Sequence, residues 1–123
     1  MTLLRSHRDL RPLYAAADVL AHPSYREGVP RVLMEAAAMG LPIVASDIPG
    51  CREVVSHAVT GLLCPPRDAV ALSDALATTL HDRSGARRRA EAAAKDVRNR
   101  FDQNDVTERI WDIYAELCHQ SAR

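Results

Sequence analysis

The sequence predicts an α/β fold: a partial parallel sheet with flanking helices, followed by C-terminal helices. Three observations carry this. Runs 18–23, 41–46 and 60–64 have strand length and are apolar throughout rather than alternating, the pattern of strands covered on both faces. The segments between them are too long for hairpins and carry helix signals, so the strands run parallel with right-handed crossovers. Beyond Pro65-Pro66 the pattern is helical almost without interruption.

The first helix spans 10–17. Asp9 is its candidate N-cap, and Pro12 falls in the first turn, where a missing N–H does no harm. Asp18-Val19-Leu20-Ala21-His22 is the first strand, stopped by Pro23. Residues 24–28 form a loop. Pro30 opens a helix over 31–39, and Gly40 closes it in the C′ position. The second strand, 41–46, leads to a turn at Ile48-Pro49-Gly50 and a short helix over 51–56. Thr60-Gly61 then turns into the third strand. Asp68 caps a helix reaching about His81, with Val70, Leu72, Leu76 and Leu80 as its apolar stripe. Arg83-Ser84-Gly85 breaks it. A charged helix follows over 86–101, and Asn104 or Asp105 starts the last one, with Val106, Ile110, Ile113, Tyr114 and Leu117 at helical spacing. The cluster Arg87-Arg88-Arg89 reads as a solvated helix face rather than an anion site. Three strands are few for an open α/β sheet, so further strands are expected upstream.

Composition narrows the function. The chain has 123 residues, the size of one modest domain, and is 47% hydrophobic, enough to bury a core. Its 16 basic residues balance 16 acidic ones, which argues against nucleic acid as a partner. No run approaches the ~20 apolar residues of a membrane span. Met1 to Arg11 lacks the apolar core of a signal peptide, so a cytoplasmic location is expected. Cys51, Cys64 and Cys118 are odd in number and widely spaced, which is neither a disulfide framework nor a zinc pattern. His7, His57, His81 and His119 have no ligand spacing, so no metal is expected. Cys51 lies at a helix start but has no paired His and Asp to make it a nucleophile.

The chemistry concentrates in Ser24-Tyr25-Arg26-Glu27-Gly28-Val29-Pro30-Arg31-Val32-Leu33-Met34-Glu35. This stretch follows a parallel strand and opens a helix, the place where α/β sheets bind ligands. Gly28 lets backbone approach a ligand. The N–H groups of Val29, Arg31 and Val32, with the helix dipole, form a seat for a phosphate. Glu27 and Glu35 bracket that seat, and carboxylates accept well from sugar and ribose hydroxyls. The residues therefore suggest a nucleotide sugar. The competing reading leaves Glu27 as a loop acid and pairs Glu35 with Arg31, one turn back. Arg26 and Arg31 are either phosphate contacts or surface arginines. His22, at a strand end, either faces the ligand or is a satisfied structural histidine.

The Glu27-x7-Glu35 spacing, with Gly40, Pro42-Ile43-Val44-Ala45-Ser46, Pro49-Gly50-Cys51-Arg52-Glu53, Thr60-Gly61-Leu62-Leu63 and Pro65-Pro66 in order, resembles retaining GT-B glycosyltransferases of the group 1 (family 4) type. The nearest likeness is to members that act on lipid-linked glycans and on capsular or O-antigen units. The resemblance implies a partial Rossmann-like domain, the C-terminal portion of a GT-B donor domain. It implies that the whole of 1–123 is one incomplete nucleotide-sugar-binding domain, with 1–67 its β/α part and 68–123 its C-terminal helices. Glu27 is then the catalytic residue that contacts donor-sugar hydroxyls. The backbone of Gly28, Val29, Pro30, Arg31 and Val32 holds sugar and diphosphate, Glu35 takes the ribose, and Ser6 and His7 lie against the base. Glu53 matches a further acid of the family, with helix capping the favoured role. The leaving diphosphate helps take the acceptor proton, without cofactor or metal.

The resemblance also implies partners: a nucleotide-diphosphate sugar, a glycan or lipid-linked acceptor, and an N-terminal acceptor domain or separate chain that this sequence lacks. The first donor-domain strands, with their diphosphate-neutralising Arg and Lys, are expected to be missing too, so the chain alone is expected to be inactive. A location at the inner face of the membrane fits such acceptors. Two alternatives stand beside transfer: a non-catalytic nucleotide-sugar-binding or partner module of a split enzyme, and a GT-B-like sugar-nucleotide epimerase fragment.

Overall fold

The computed structural model describes residue 2 and residues 8–121, with side chains of the last helix described through Glu116. The elements run α1 (Arg11–Ala16), β1 (Leu20–His22), α2 (Arg31–Ala38), β2 (Ile43–Ser46), α3 (Pro49–Arg52), β3 (Leu62–Cys64), α4 (Ala69–His81), α5 (Arg83–Arg100) and α6 (Gln103–Ser121).

The three strands form one parallel sheet in the order β1-β2-β3. Leu20 stands beside Ile43, and Val44 beside Leu62. Every residue of β2 is buried, so both faces of the central strand are covered. Strand side chains alternate between faces. Ile43 and Ala45 join Leu33, Ala36, Ala37, Cys51, Val54, Val55, Ala93 and Val97 in the main core, which links the sheet to α2 and α5. Val44 and Ser46 take the other face, and α4 packs against β2 and β3. Alanines at 36, 37, 90 and 93 let α2 and α5 approach closely. Arg98 and Arg100 tie α5 to that layer by donating to the carbonyls of Ala38 (3.3 Å) and Glu53 (2.7 Å).

Parallel pairing puts all three carboxyl ends on one edge of the sheet, and each feeds directly toward a helix start. The stop of α2 shows how local sequence sets this up. Gly40 takes φ +71°, and the N–H groups of Gly40 and Leu41 donate to the carbonyls of Ala37 (2.9 Å) and Ala36 (3.0 Å), a Schellman cap.

Several elements differ from the sequence reading. Leu10, not Asp9, is the N-cap of α1, although Asp9 Oδ1 accepts the Arg11 N–H at 3.0 Å. Pro49 and Gly50 are not a turn but the first residues of α3, with proline's fixed φ starting the helix. The break after α4 is Asp82, whose carboxylate accepts from Gly85 N–H at 2.9 Å, so Gly85 lies inside α5. On α4, Val70 and Leu80 are exposed, and the inner stripe is Ala71, Leu72, Ala75, Leu76 and Thr79. Arg89 is not solvated: its side chain is 15% exposed and sits 3.9 Å from Asp82. Strand β1 is only half-buried, because β2 covers one edge alone. On α6, Val106, Ile110, Trp111, Ile113 and Tyr114 are exposed.

Candidate functional site

The site is built at the carboxyl edge of the sheet. The loop after β1 carries Glu27 to Val29 in exposed positions and ends at buried Pro30, the N-cap of α2. No side chain caps this helix start. The Pro30 carbonyl accepts from Leu33 (3.2 Å) and Met34 (3.5 Å), leaving the first-turn amides of Arg31 and Val32 without intrahelical acceptors. A helix start with open N–H groups and a positive dipole end suits an anion.

Glu27 is held from the strand end. Its Oε2 lies 3.1 Å from His22 Nε2; the His22 side chain is mostly shielded, while that of Glu27 keeps 35% of its surface exposed. His22 therefore has a carboxylate partner and turns toward the loop. Beneath the loop lies α3: a Cβ at Gly50 would collide with the carbonyl oxygens of Glu27 and Gly28.

Glu35 occupies a different place. It lines a cleft of about 430 Å³ with Arg8, Asp9, Leu10, Arg11, Tyr14, Ala38 and Met39. The Tyr14 hydroxyl donates to Glu35 Oε2 at 3.0 Å, and Arg31 Nη2 stands 3.7 Å from Oε1. An arginine thus lies one turn back from Glu35, and the carboxylate also lines a cleft. Burial, then the hydrogen bond and charge of Glu35, push the Tyr14 phenol up to about 12. At neutral pH this hydroxyl is a fixed donor. Glu27 does not line the Glu35 cleft: it stands in the loop before α2, whereas Glu35 lies one turn inside the helix. Ser6 and His7 lie outside the described residues; Arg8 and Asp9, which follow them, form one wall of the cleft.

A second cleft of about 220 Å³ opens between Pro23, Tyr25, Ser46, Cys64 and Arg67. There Arg67, in the left-handed region at φ +63°, places its guanidinium 5.1 Å from the Tyr25 ring centroid.

Cys51 is buried, and its thiol is pushed up to about 11 by burial first and then by the charges of Glu27 and Asp47. A neutral thiol is no nucleophile. Asp47 is tied to Arg52 at 2.6 Å, which holds its carboxyl below the usual range. Glu53 is the C-cap residue of α3 and contributes its carbonyl to Arg100. Among the described residues no cluster of three metal-ligating side chains occurs.

Tyr14 and Gly50 were not visible as site residues in the sequence. Tyr14 reaches Glu35 across 21 positions, with no spacing to announce it. Gly50 carried a signal, a glycine directly after proline, but that pair reads equally as a turn.

Comparison with known proteins follows the same outline. The family described as glycosyl transferases group 1 matches residues 1–97. A glycogen synthase of Mycobacterium tuberculosis is 38% identical over 108 residues, which are 88% of this chain and 26% of that protein. The sucrose-phosphate synthase of Thermosynechococcus elongatus superposes with a TM-score of 0.86 at 34% identity, covering 90% of this chain and 28% of that one. Anabaena HepE in complex with UDP-glucose gives a TM-score of 0.83 at 32% identity, covering 89% and 30%. The chain thus spans roughly a quarter to a third of the length of these relatives. By its matched residues, its fold and its Glu27-x7-Glu35 segment, the chain belongs to the group 1 glycosyl transferase family.

Proposed function

We propose that this chain is the donor-site portion of a retaining glycosyltransferase that uses a nucleotide-diphosphate sugar. The observation that carries the reading is an uncapped helix start with Glu27 in the loop before it and Glu35 within the helix, in a chain of this family.

Each residue then has a task. Glu35 accepts from the ribose hydroxyls, with Tyr14 holding its Oε2 so that the carboxylate is oriented before ligand arrives. The backbone from Gly28 to Val32 receives the sugar and diphosphate, with the α2 dipole offsetting phosphate charge and Arg31 nearby. Glu27 accepts from hydroxyls of the donor sugar, its orientation set by His22. Contact with the base is assigned to Ser6 and His7 by the family resemblance alone. The anomeric bond to the diphosphate oxygen breaks, and the acceptor hydroxyl oxygen bonds to the same face of the anomeric carbon. The acceptor proton passes to the departing diphosphate, so charge and atoms balance without a metal. Stabilising that leaving group is the main electrostatic task of the site.

The proposed partners are an N-terminal acceptor domain, in the same or a separate chain, further cations for the diphosphate, and a glycan or lipid-linked acceptor as substrate. No helix among the described residues is long and apolar enough to cross a membrane. The expected setting is the cytoplasm or its membrane face.

Calorimetric titration with UDP-glucose tests the reading. The wild-type chain should bind saturably, and Glu27→Gln should weaken UDP-glucose roughly 10-fold or more while changing UDP little, because a charged acceptor of sugar hydroxyls is lost. A folded chain with no measurable affinity for either ligand would count against it.

A further inference from the structure

The loop that carries Glu27 lies against the backbone of Gly50. An ideal Cβ at Gly50 would overlap the Gly28 carbonyl oxygen, stand 2.5 Å from the Glu27 carbonyl oxygen and 2.8 Å from the Gly28 carbonyl carbon. Gly50 is buried, on the first turn of α3, and Pro49 fixes the start of that turn. Gly28 itself has open space where a side chain would go. A side chain is therefore accommodated at Gly28 but not at Gly50.

We propose that Gly50 is a positioning residue for the donor-sugar contact, its bare Cα setting the height at which the Glu27–Gly28 peptide sits over the sheet edge. Any side chain at 50 lifts that peptide and moves the Glu27 carboxylate away from where His22 holds it. This rests on the proposal that Glu27 meets the donor sugar. It adds that α3, which contributes no side chain to that contact, fixes its geometry.

Gly50→Ala tests this against Gly61→Ala. The second substitution also overpacks, but in the core: its Cβ would meet Val55 Cγ1 at 2.8 Å and the Ile43 carbonyl oxygen at 3.0 Å. Gly50→Ala should weaken UDP-glucose at least roughly 10-fold and UDP less than about threefold, with shifted amide resonances at 27–29; a small misplacement at a site has effects of that order. Gly61→Ala should lower the thermal midpoint without changing the ratio of the two affinities. Should Gly50→Ala fail to fold, Pro49→Ala loosens the seat without adding atoms. It should speed amide exchange at 27–29 and lower the UDP-glucose preference about two- to threefold. An unchanged preference in the folded Gly50→Ala or Pro49→Ala chain, or an equal change in Gly61→Ala, would overturn the proposal. A wild-type chain that binds UDP but shows no preference for UDP-glucose would overturn the Glu27 reading and this positioning role together.

Discussion

The hydroxyl of Tyr14 donates to Glu35 Oε2 at 3.0 Å, joining the first helix to the second across 21 residues of sequence. This contact makes a cleft wall and a candidate ribose acceptor into one unit. Tyr14→Phe removes the donor and leaves the ring. UDP affinity should fall roughly three- to tenfold, and stability by about 1 kcal/mol for a part-exposed hydrogen bond to a charged group. Paired titration calorimetry and chemical denaturation of both chains measure these.

The same contact predicts a pH response. The Tyr14 phenol is raised from 10.0 to about 12 in the fold, so folding favours its neutral form. Its contribution is complete below pH 10 and is lost as pH rises from 10 toward 12. A phenolate absorbance titration should show a late phase near pH 12 from Tyr14. In Tyr14→Phe this late phase should be missing.

Asp82 predicts the opposite direction. It accepts from Gly85 N–H at the start of α5, and this bond, ahead of the Ser84 contact and nearby arginines, holds its carboxyl below the usual range. Its stabilisation is present above the ordinary carboxylate value of 3.8 and is lost as pH falls through the lower folded value. Asp82→Ala should unfold at a lower temperature than wild type at pH 7, and that gap should close in strong acid. Thermal scans across pH decide it.

Ala58 lies exposed at φ +63°, a conformation that disfavours any Cβ. Ala58→Gly should stabilise the chain by about 0.5–1 kcal/mol, read from the denaturation midpoint. The N–H of Ala58 donates to the Gly61 carbonyl at 2.7 Å, and this bond survives the change.

Much of this architecture was legible in local sequence, for reasons that can be named. The all-apolar run Ile43-Val44-Ala45 marked a strand covered on both faces, and Gly40 and Asp68 marked a helix end and a helix start. The segment 24–35 stood out because loop, proline and carboxylates met at a strand end. Less was legible where tertiary packing decides. Of the stripe expected on α4, Leu72 and Leu76 do face inward, but Val70 and Leu80 are exposed, and Ala71, Ala75 and Thr79 complete the inner face. Pro49-Gly50 has turn chemistry, but the approach of the Glu27 loop selects a helix with glycine at that point. Arg89 looked like one of three solvated arginines, and its shielding comes from the corner between α4 and α5. Tyr14 could not be paired with Glu35 without knowing that α1 folds back beside α2.

If Glu35 and the start of α2 form a nucleotide site, loss of the Glu35 carboxylate must weaken UDP binding. The wild-type chain and Glu35→Ala should be compared by calorimetry, with circular dichroism showing both folded. Wild type should bind saturably and Glu35→Ala should lose roughly 10-fold or more in affinity, because a charged hydrogen-bond acceptor is removed. Equal affinity in the two chains, or no binding by the folded wild type, would contradict a nucleotide site there.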